Sequence, residues 1–155
     1  MKKFFTLAIM AVFLVLTGCA KVPTVSMIEE VKAKEFNPPP AGKAGLYLLR
    51  PGYFGVLLKK DMYVDKQCVG ETKVGIFFHT TVDGNQTHMV STESEFSPND
   101  IDVYMEEGKN YFVEQYVRMG VFVGGAGLYT IPEKEGKEKI REMTMGVPGI
   151  CDTTY

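Results

Sequence analysis

The heptapeptide DIDVYME, residues 100–106, alternates polar and apolar side chains along its length. In an extended chain Ile101, Val103 and Met105 point to one face, while Asp102 and Tyr104 point to the other. Such a period of two is typical of a strand that is buried on one face and solvated on the other. The stretch therefore predicts a half-buried β-strand and favours a β-rich domain around it.

Short runs rich in Val, Tyr, Phe and Leu lie on both sides of this strand. We predict further strands at 46–50, 56–64, 73–82, 87–93 and 111–118. Turn-forming sequences separate them at 65–67, 83–84 and 107–109. Short strands repeating every 8–12 residues or so favour an antiparallel β-sandwich or barrel-like fold. With one helical segment at 133–143, we expect a mainly β single domain over 44–155 that has one short C-terminal helix.

The N-terminus has the features of a secretory signal peptide. Two lysines follow Met1, and an apolar run over 4–16 is interrupted only by Thr6. This run is shorter than the roughly 20 residues that cross a bilayer. Leu16-Thr17-Gly18-Cys19 resembles the lipobox of bacterial lipoproteins. The resemblance implies removal of residues 1–18, a diacylglycerol thioether on Cys19 and acylation of the new amine. The alternative is an ordinary signal peptide with an incidental cysteine.

Lipidation of Cys19 would make membrane lipid the first partner of the protein. Each buried methylene of an acyl chain contributes about 0.8 kcal/mol, so several chains hold a protein durably. Ala20 stands where some lipoproteins that stay in the inner membrane have Asp, and that resemblance favours the periplasmic leaflet of the outer membrane. Residues 19–43 are polar and end in a proline run, so we expect a flexible stalk there, with a short helix over 27–35 as a possibility.

The charge of the chain argues against nucleic acid as a partner. Without Lys2 and Lys3, which would leave with the signal peptide, 15 basic residues face 19 acidic residues, a net charge of −4. Binding to the phosphates of nucleic acid requires a cluster of Lys and Arg, and electrostatic binding to anionic lipid requires one as well.

Several segments resemble a family of small bacterial lipoproteins of unknown function. They are AGLYLLRP at 44–51, MYVDKQCVGE at 62–71, EGKNYFV at 107–113 and EGK at 135–137. The pattern is also similar to that of PEGA-type modules, which are small β-sandwiches on bacterial surface proteins. The resemblance covers residues 44–142 and implies a β-sandwich in the envelope. It implies no catalytic residues, and Cys68 and His79 do not match the family pattern.

The two histidines, His79 and His88, are weak candidates for a metal site. If Asp83-Gly84 is a two-residue hairpin loop, His79 lies opposite His88, and Phe77 pairs with Val90. A longer loop over 83–86 would instead pair Phe77 with Thr92. Opposed imidazoles are close enough to share a metal ion, but a third ligand is not evident. We therefore expect two surface imidazoles and no cofactor.

Other motifs in the chain do not point to catalysis. The glycines at 120–127 are followed by a strand-like segment rather than by the helix that a phosphate site needs, so we expect a flexible or bulged crossover. Cys68 and His79 are a thiol and an imidazole outside any recognisable catalytic motif. Asn85 lies in DGNQT, which matches the extended acceptor sequence of bacterial N-glycosylation but is also a simple turn. We expect a protein that is not an enzyme.

Cys68 and Cys151 are the two thiols that remain once Cys19 is lipidated. In an oxidising compartment an even count makes a disulfide plausible, although sequence alone does not determine pairing. The alternative is two unrelated thiols, one buried and one in a frayed end. Two functions remain open: an envelope-tethered β module that binds an envelope protein or supports the cell surface, and a lipoprotein that binds a small ligand or metal.

Overall fold

The computed structural model describes residues 21–120, 124–152 and 155. The predicted signal peptide, residues 1–18, and Cys19 lie outside the described residues. Two helices are present in the described part, α1 (Met27–Ala33) and α2 (Glu133–Arg141). The strands there are β1 (Lys43–Arg50), β2 (Lys60–Val64), β3 (Gln67–Thr72), β4 (Ile76–Asp83), β5 (Gln86–Thr92), β6 (Asn99–Met105), β7 (Asn110–Arg118), β8 (Gly125–Ile131) and β9 (Thr144–Met145). Within residues 21–120 and 124–152, no helix has the length and apolar character that crossing a membrane requires.

These strands form two sheets, which confirms the predicted mainly β sandwich. One sheet has the order β8-β7-β1-β4-β9, and the other has the order β3-β2-β5-β6. The prediction of purely antiparallel pairing is wrong for two pairs, because β1 runs parallel to β7 and β4 runs parallel to β9. Parallel neighbours need a long connection, and the chain between β1 and β7 builds the entire four-stranded sheet before it returns.

Strand β1 is buried on both faces because it lies at the centre of a three-layer structure. Leu46 and Leu48 point into the core between the two sheets, where they pack in the same cluster as Phe78. Tyr47 and Leu49 point the other way and pack with Ile140 of α2. The layers are therefore the helices, the five-stranded sheet and the four-stranded sheet. Strand β6 has the predicted alternation, with Val103 and Met105 buried.

The prediction of a flexible stalk over 19–43 is wrong for residues 21–43, which pack on the sandwich. Val22 and Phe36 are buried, and Thr24 forms a β-bridge with Gly146. The possible helix over 27–35 is present as α1 and ends two residues earlier. It begins at a capping box in which the Ser26 and Glu29 side chains each accept from the other's backbone N–H. The predicted boundary at residue 44 therefore lies inside the folded unit.

The predicted hairpin between the two histidine strands does not form. β4 pairs with β1 and β9, whereas β5 pairs with β2 and β6 in the other sheet. At the junction the Gly84 N–H donates to the Gly42 carbonyl, and the Asn85 N–H donates to the Met105 carbonyl. One bond thus joins the junction to the residue before β1 and the other joins it to β6, so the chain crosses from one sheet to the other instead of reversing. The opposition of His79 and His88, and the pairing of Phe77 with Val90, were wrong.

Three other segments differ from the predicted boundaries. The strand predicted over 56–64 begins only at Lys60, because a loop precedes it. Strand β3 was not predicted, and only its first residue, Gln67, lies in the predicted turn over 65–67. That turn is a tight loop in which Asp65 and Lys66 have φ of 49° and 67°. β8 occupies part of the segment predicted to be a bulged crossover. Residues 121–123 of that segment lie outside the described residues. The C-terminal helix is confirmed as α2 and ends at Arg141.

Candidate functional site

The two ends of the sandwich carry different chemistry. At one end, which we call the turn end, lie the tight turns at 65–66, 83–85 and 107–108. At the other end lie three loops, formed by residues 51–59, 93–98 and 119–120 with 124. The register of β1 with β4 sets the orientation, since Lys43 pairs with Asp83 at the turn end and Arg50 pairs with Ile76 at the other end.

The end opposite the turn end exposes large apolar side chains, and we call it the apolar end. Its members and their exposed fractions are Tyr53 93%, Phe54 61%, Val56 55%, Leu57 85%, Phe96 76% and Met119 86%. A single exposed apolar residue is ordinary, but a concentration of them on adjacent loops is typical of a contact surface. The sequence contains this signal as the run YFGVLL at 53–58, whose last three residues lie in the strand predicted over 56–64.

Arg50 holds the first of these loops in place. Its side chain is buried, and Nη2 donates to the Gly55 carbonyl at 2.8 Å. Nη1 donates to the Thr72 carbonyl at 3.4 Å. Burial lowers the pKa of the Arg50 guanidinium to about 10, which leaves it charged at neutral pH. A buried cation that donates to the Gly55 carbonyl fixes the base of the loop, while Tyr53 and Leu57 project into solvent.

His79 lies in a cleft on the helix side of the five-stranded sheet. Its ring stacks on Tyr47 with centroids 4.3 Å apart, and Tyr47 stacks in turn on Phe112 at 4.8 Å. The cleft has a volume of about 420 Å³, and its walls include Pro38, Pro39, Pro40, Pro148, Lys32 and Glu29. Burial lowers the pKa of His79, so its imidazole is neutral at pH 7. The stack gives the cleft a flat aromatic wall that suits an apolar or planar small molecule.

His88 lies elsewhere, in a polar cavity of about 290 Å³ at the turn end. Nδ1 lies 2.6 Å from Asp65 Oδ2, and Nε2 lies 2.8 Å from the Asp83 carbonyl. Both ring nitrogens therefore face acceptors, which suits an imidazolium that donates twice. Burial by itself would lower the pKa of His88, but the bonds to Asp65 and Asp83 outweigh it and raise the pKa. This histidine joins the two sheets.

His88 should make the stability of the domain depend on pH. Because its pKa is raised in the folded state, its contribution is fully present below its ordinary value near 6.5 and is lost as pH rises through the folded value. Since Asp65 is half exposed, we expect only about 1 kcal/mol. Chemical denaturation between pH 5 and about pH 8.5 measures it. His88→Gln should flatten the curve over this range, whereas an unchanged slope would contradict the ion pair.

Cys68 and Cys151 form a disulfide, with their Sγ atoms 2.08 Å apart. The bridge fastens a C-terminal tail that lies along the outer edge of the four-stranded sheet. Within this tail the Gly149 N–H donates to the Val69 carbonyl, and the Ile150 carbonyl accepts from the Glu71 N–H, both at 2.8 Å. The tail thus covers the open edge of β3, which would otherwise be free to pair with another chain. Cys68 carries no free thiol to act with His79.

The structure does not bring the predicted metal ligands together. His79 stacks among aromatic rings on the outer face of the five-stranded sheet, while His88 is paired with Asp65 at the turn end. Among the described residues, no group of three or more His, Cys, Asp or Glu side chains is arranged to hold a metal ion. Asn85 is at the surface, where its side-chain oxygen accepts from the Glu107 N–H.

Comparison with known proteins places the chain in a family. The family model described as "Protein of unknown function (DUF2846)" matches residues 40–126, which are more than half of the chain. An "Uncharacterized protein" of Haemophilus influenzae is 45% identical over 144 residues, which are 93% of this chain and 85% of the relative. No solved structure matches the chain. The chain belongs to the DUF2846 family, and the predicted membership of a small bacterial family of unknown function is confirmed.

Proposed function

We propose that this DUF2846 protein is a lipid-anchored lipoprotein of the bacterial envelope whose β-sandwich is a non-enzymatic module for binding an envelope protein. The observation that carries the binding role is the apolar end, where six large apolar side chains are each more than half exposed. Exposing such a surface to water is unfavourable in free energy, and contact with another protein would bury it. The resemblance to PEGA-type surface modules supports the same function.

The course of the N-terminal segment supports an anchor on the far side of the domain. Residues 23–25 run antiparallel to residues 145–147, with Thr24 bridged to Gly146 and the Pro23 carbonyl accepting from Val147 N–H. Lys21 therefore lies toward the turn end, and only Ala20 separates it from Cys19. The eight residues of β1 span about 26 Å between the two ends. A lipid on Cys19 would leave the apolar end free for a partner.

The location proposed is the periplasmic leaflet of the outer membrane. It depends on the lipobox at 16–19 and on Ala20, which follows the cysteine in place of Asp. Three acyl chains on Cys19 would supply the membrane affinity, without need of a basic patch on the domain. The net charge of −4 in the processed chain agrees with an anchor of this kind.

Photo-crosslinking in cells tests the binding role. A photoreactive residue at Leu57, which is 85% exposed at the apolar end, should give a discrete adduct with an envelope protein. The matched control is Tyr104 of β6, which is also apolar and 57% exposed but lies on the outer face of the four-stranded sheet. We expect no adduct there. Adducts of equal yield at both positions, or none at Leu57, would contradict a partner surface at the apolar end.

A second candidate function is small-ligand binding in the cleft beside His79. The observation that favours it is the aromatic wall formed by Tyr47 and His79 in a 420 Å³ space, a volume typical of ligand pockets. Native mass spectrometry of the protein purified from its own envelope distinguishes the two functions. A stoichiometric mass beyond that of the lipidated chain, which His79→Ala abolishes, would favour the ligand, whereas the mass of the lipidated chain alone would favour the binding module.

A further inference from the structure

The outward face of α1 is apolar and exposed. Met27 and Ile28 are each 82% exposed, and Val31 is 56% exposed. The opposite side of the helix is attached to the domain: Ala33 is buried, and the Lys34 ammonium donates to the Met143 carbonyl at 2.5 Å. We call Met27, Ile28 and Val31 the helix face. Val31 follows Ile28 by three residues and Met27 by four, so the three side chains form a continuous patch along α1.

The position of the helix face close to Cys19 indicates what covers it. Met27 follows Cys19 by eight residues, which span at most about 29 Å when fully extended. Residues 22–26 take no such extended path away from the domain, because Val22 is buried and Val25 N–H donates to the Met145 carbonyl. From Val22 onward the chain is thus part of the folded domain. A lipid on Cys19 would therefore hold the domain directly against the bilayer.

We propose that the helix face lies in the boundary between headgroups and acyl chains of the bilayer that holds Cys19. This inference rests on the proposed lipid anchor and adds an orientation to it. The anchor raises the effective concentration of lipid at the helix face, so three apolar side chains are enough for a contact that the unanchored domain would make only weakly. The helix layer then faces the bilayer, and the four-stranded sheet faces away from it.

The charges beside the helix face indicate that the contact is apolar rather than electrostatic. Lys32 lies next to it, but so do Glu29 and Glu35, and all three are exposed. A helix that depends on anionic lipid carries an excess of Lys and Arg on its polar face, which α1 lacks. The helix face should therefore contact zwitterionic and anionic bilayers equally well.

Depth-dependent fluorescence quenching tests this orientation on the full lipidated protein in phosphatidylcholine vesicles that contain nitroxide-labelled lipid. With Cys19 acylated and Cys68 bridged to Cys151, an added cysteine would be the free thiol for a fluorophore. Ile28→Cys reports the helix face, and Tyr104→Cys is the control, because β6 belongs to the other sheet and sheets pack about 10 Å apart. Both sites are exposed, so neither label disturbs the core; a melting curve of each labelled variant checks this.

We expect quenching at Ile28 to be several-fold stronger than at Tyr104, and unchanged when anionic lipid is added. Equal quenching at the two sites, or none at Ile28 in protein that floats with the vesicles, would overturn the orientation and leave the anchor intact. Protein that does not float with the vesicles at all would overturn the anchor, and the orientation with it. The two failures are therefore distinguishable in one experiment.

Discussion

Removing the disulfide between Cys68 and Cys151 is expected to lower the free energy of unfolding by about 4–5 kcal/mol. The cysteines are 83 residues apart, so the bridge closes a loop of 84 residues counting both ends. In the chain-entropy model a loop of this length restricts the unfolded chain by that amount. For a domain of about 130 residues the melting temperature should fall by roughly 15 °C.

The double variant Cys68→Ala/Cys151→Ala measures this effect without reductant, and wild-type protein in reductant provides the matched comparison. Both should melt at the same lowered temperature, because each opens the same loop. The tail hydrogen bonds at Val69 and Glu71 would then depend on local packing alone. Two free thiols per chain in denatured, unreduced wild-type protein would contradict the bridge, as would a melting temperature that reductant leaves unchanged.

Cys19→Ser should move the protein completely from the membrane fraction to the soluble fraction. The thioether of a lipoprotein requires a thiol, and serine cannot supply one. Loss of acyl chains removes about 0.8 kcal/mol for each buried methylene, far more than the three side chains of the helix face could restore. Fractionation and gel mobility measure the change. Cys151→Ala is the control, since it removes a different cysteine and should remain with the membrane; a Cys19→Ser protein that stays there with unchanged mobility would contradict lipidation.

The strands of this fold could be predicted from local patterns, but their partners could not. The alternation at 100–106 is seen in β6, and the turn residues at 107–109 lie between the end of β6 and the start of β7. Pairing depends on contacts far apart in sequence. A hairpin was the simplest prediction at Asp83-Gly84, yet the chain crosses there between sheets, and β4 pairs over its whole length with β1 instead.

The packing of the N-terminal segment could not be predicted because its buried residues follow neither a helical nor a strand period. Val22 belongs to the cluster between the two sheets, whereas Ala33 and Phe36 pack together on the helix side of the five-stranded sheet. The prolines at 38–40, which suggested a stiff linker, form a wall of the cleft beside His79. In the same way the bond from His88 to Asp65 joins residues 23 positions apart, and the local sequence around either residue does not indicate it.

Of the candidate site residues, only the cysteines could be connected by sequence reasoning. The even number of cysteines that lipidation of Cys19 would leave suggested a bridge. The apolar end could not be predicted, because YFGVLL at 53–58 has the composition of a strand. Whether such a run pairs or remains a loop depends on neighbours, and here Arg50 binds the Gly55 carbonyl and holds the segment out of the sheet.

Mass spectrometry of the N-terminal peptide from membrane-purified protein tests whether a lipid on Cys19 holds the protein in the envelope. We expect the mature chain to begin at Cys19 and this residue to carry a diacylglycerol thioether and an acylated amine. An N-terminal peptide that begins elsewhere, or one that contains Cys19 without lipid, would contradict the proposed anchor.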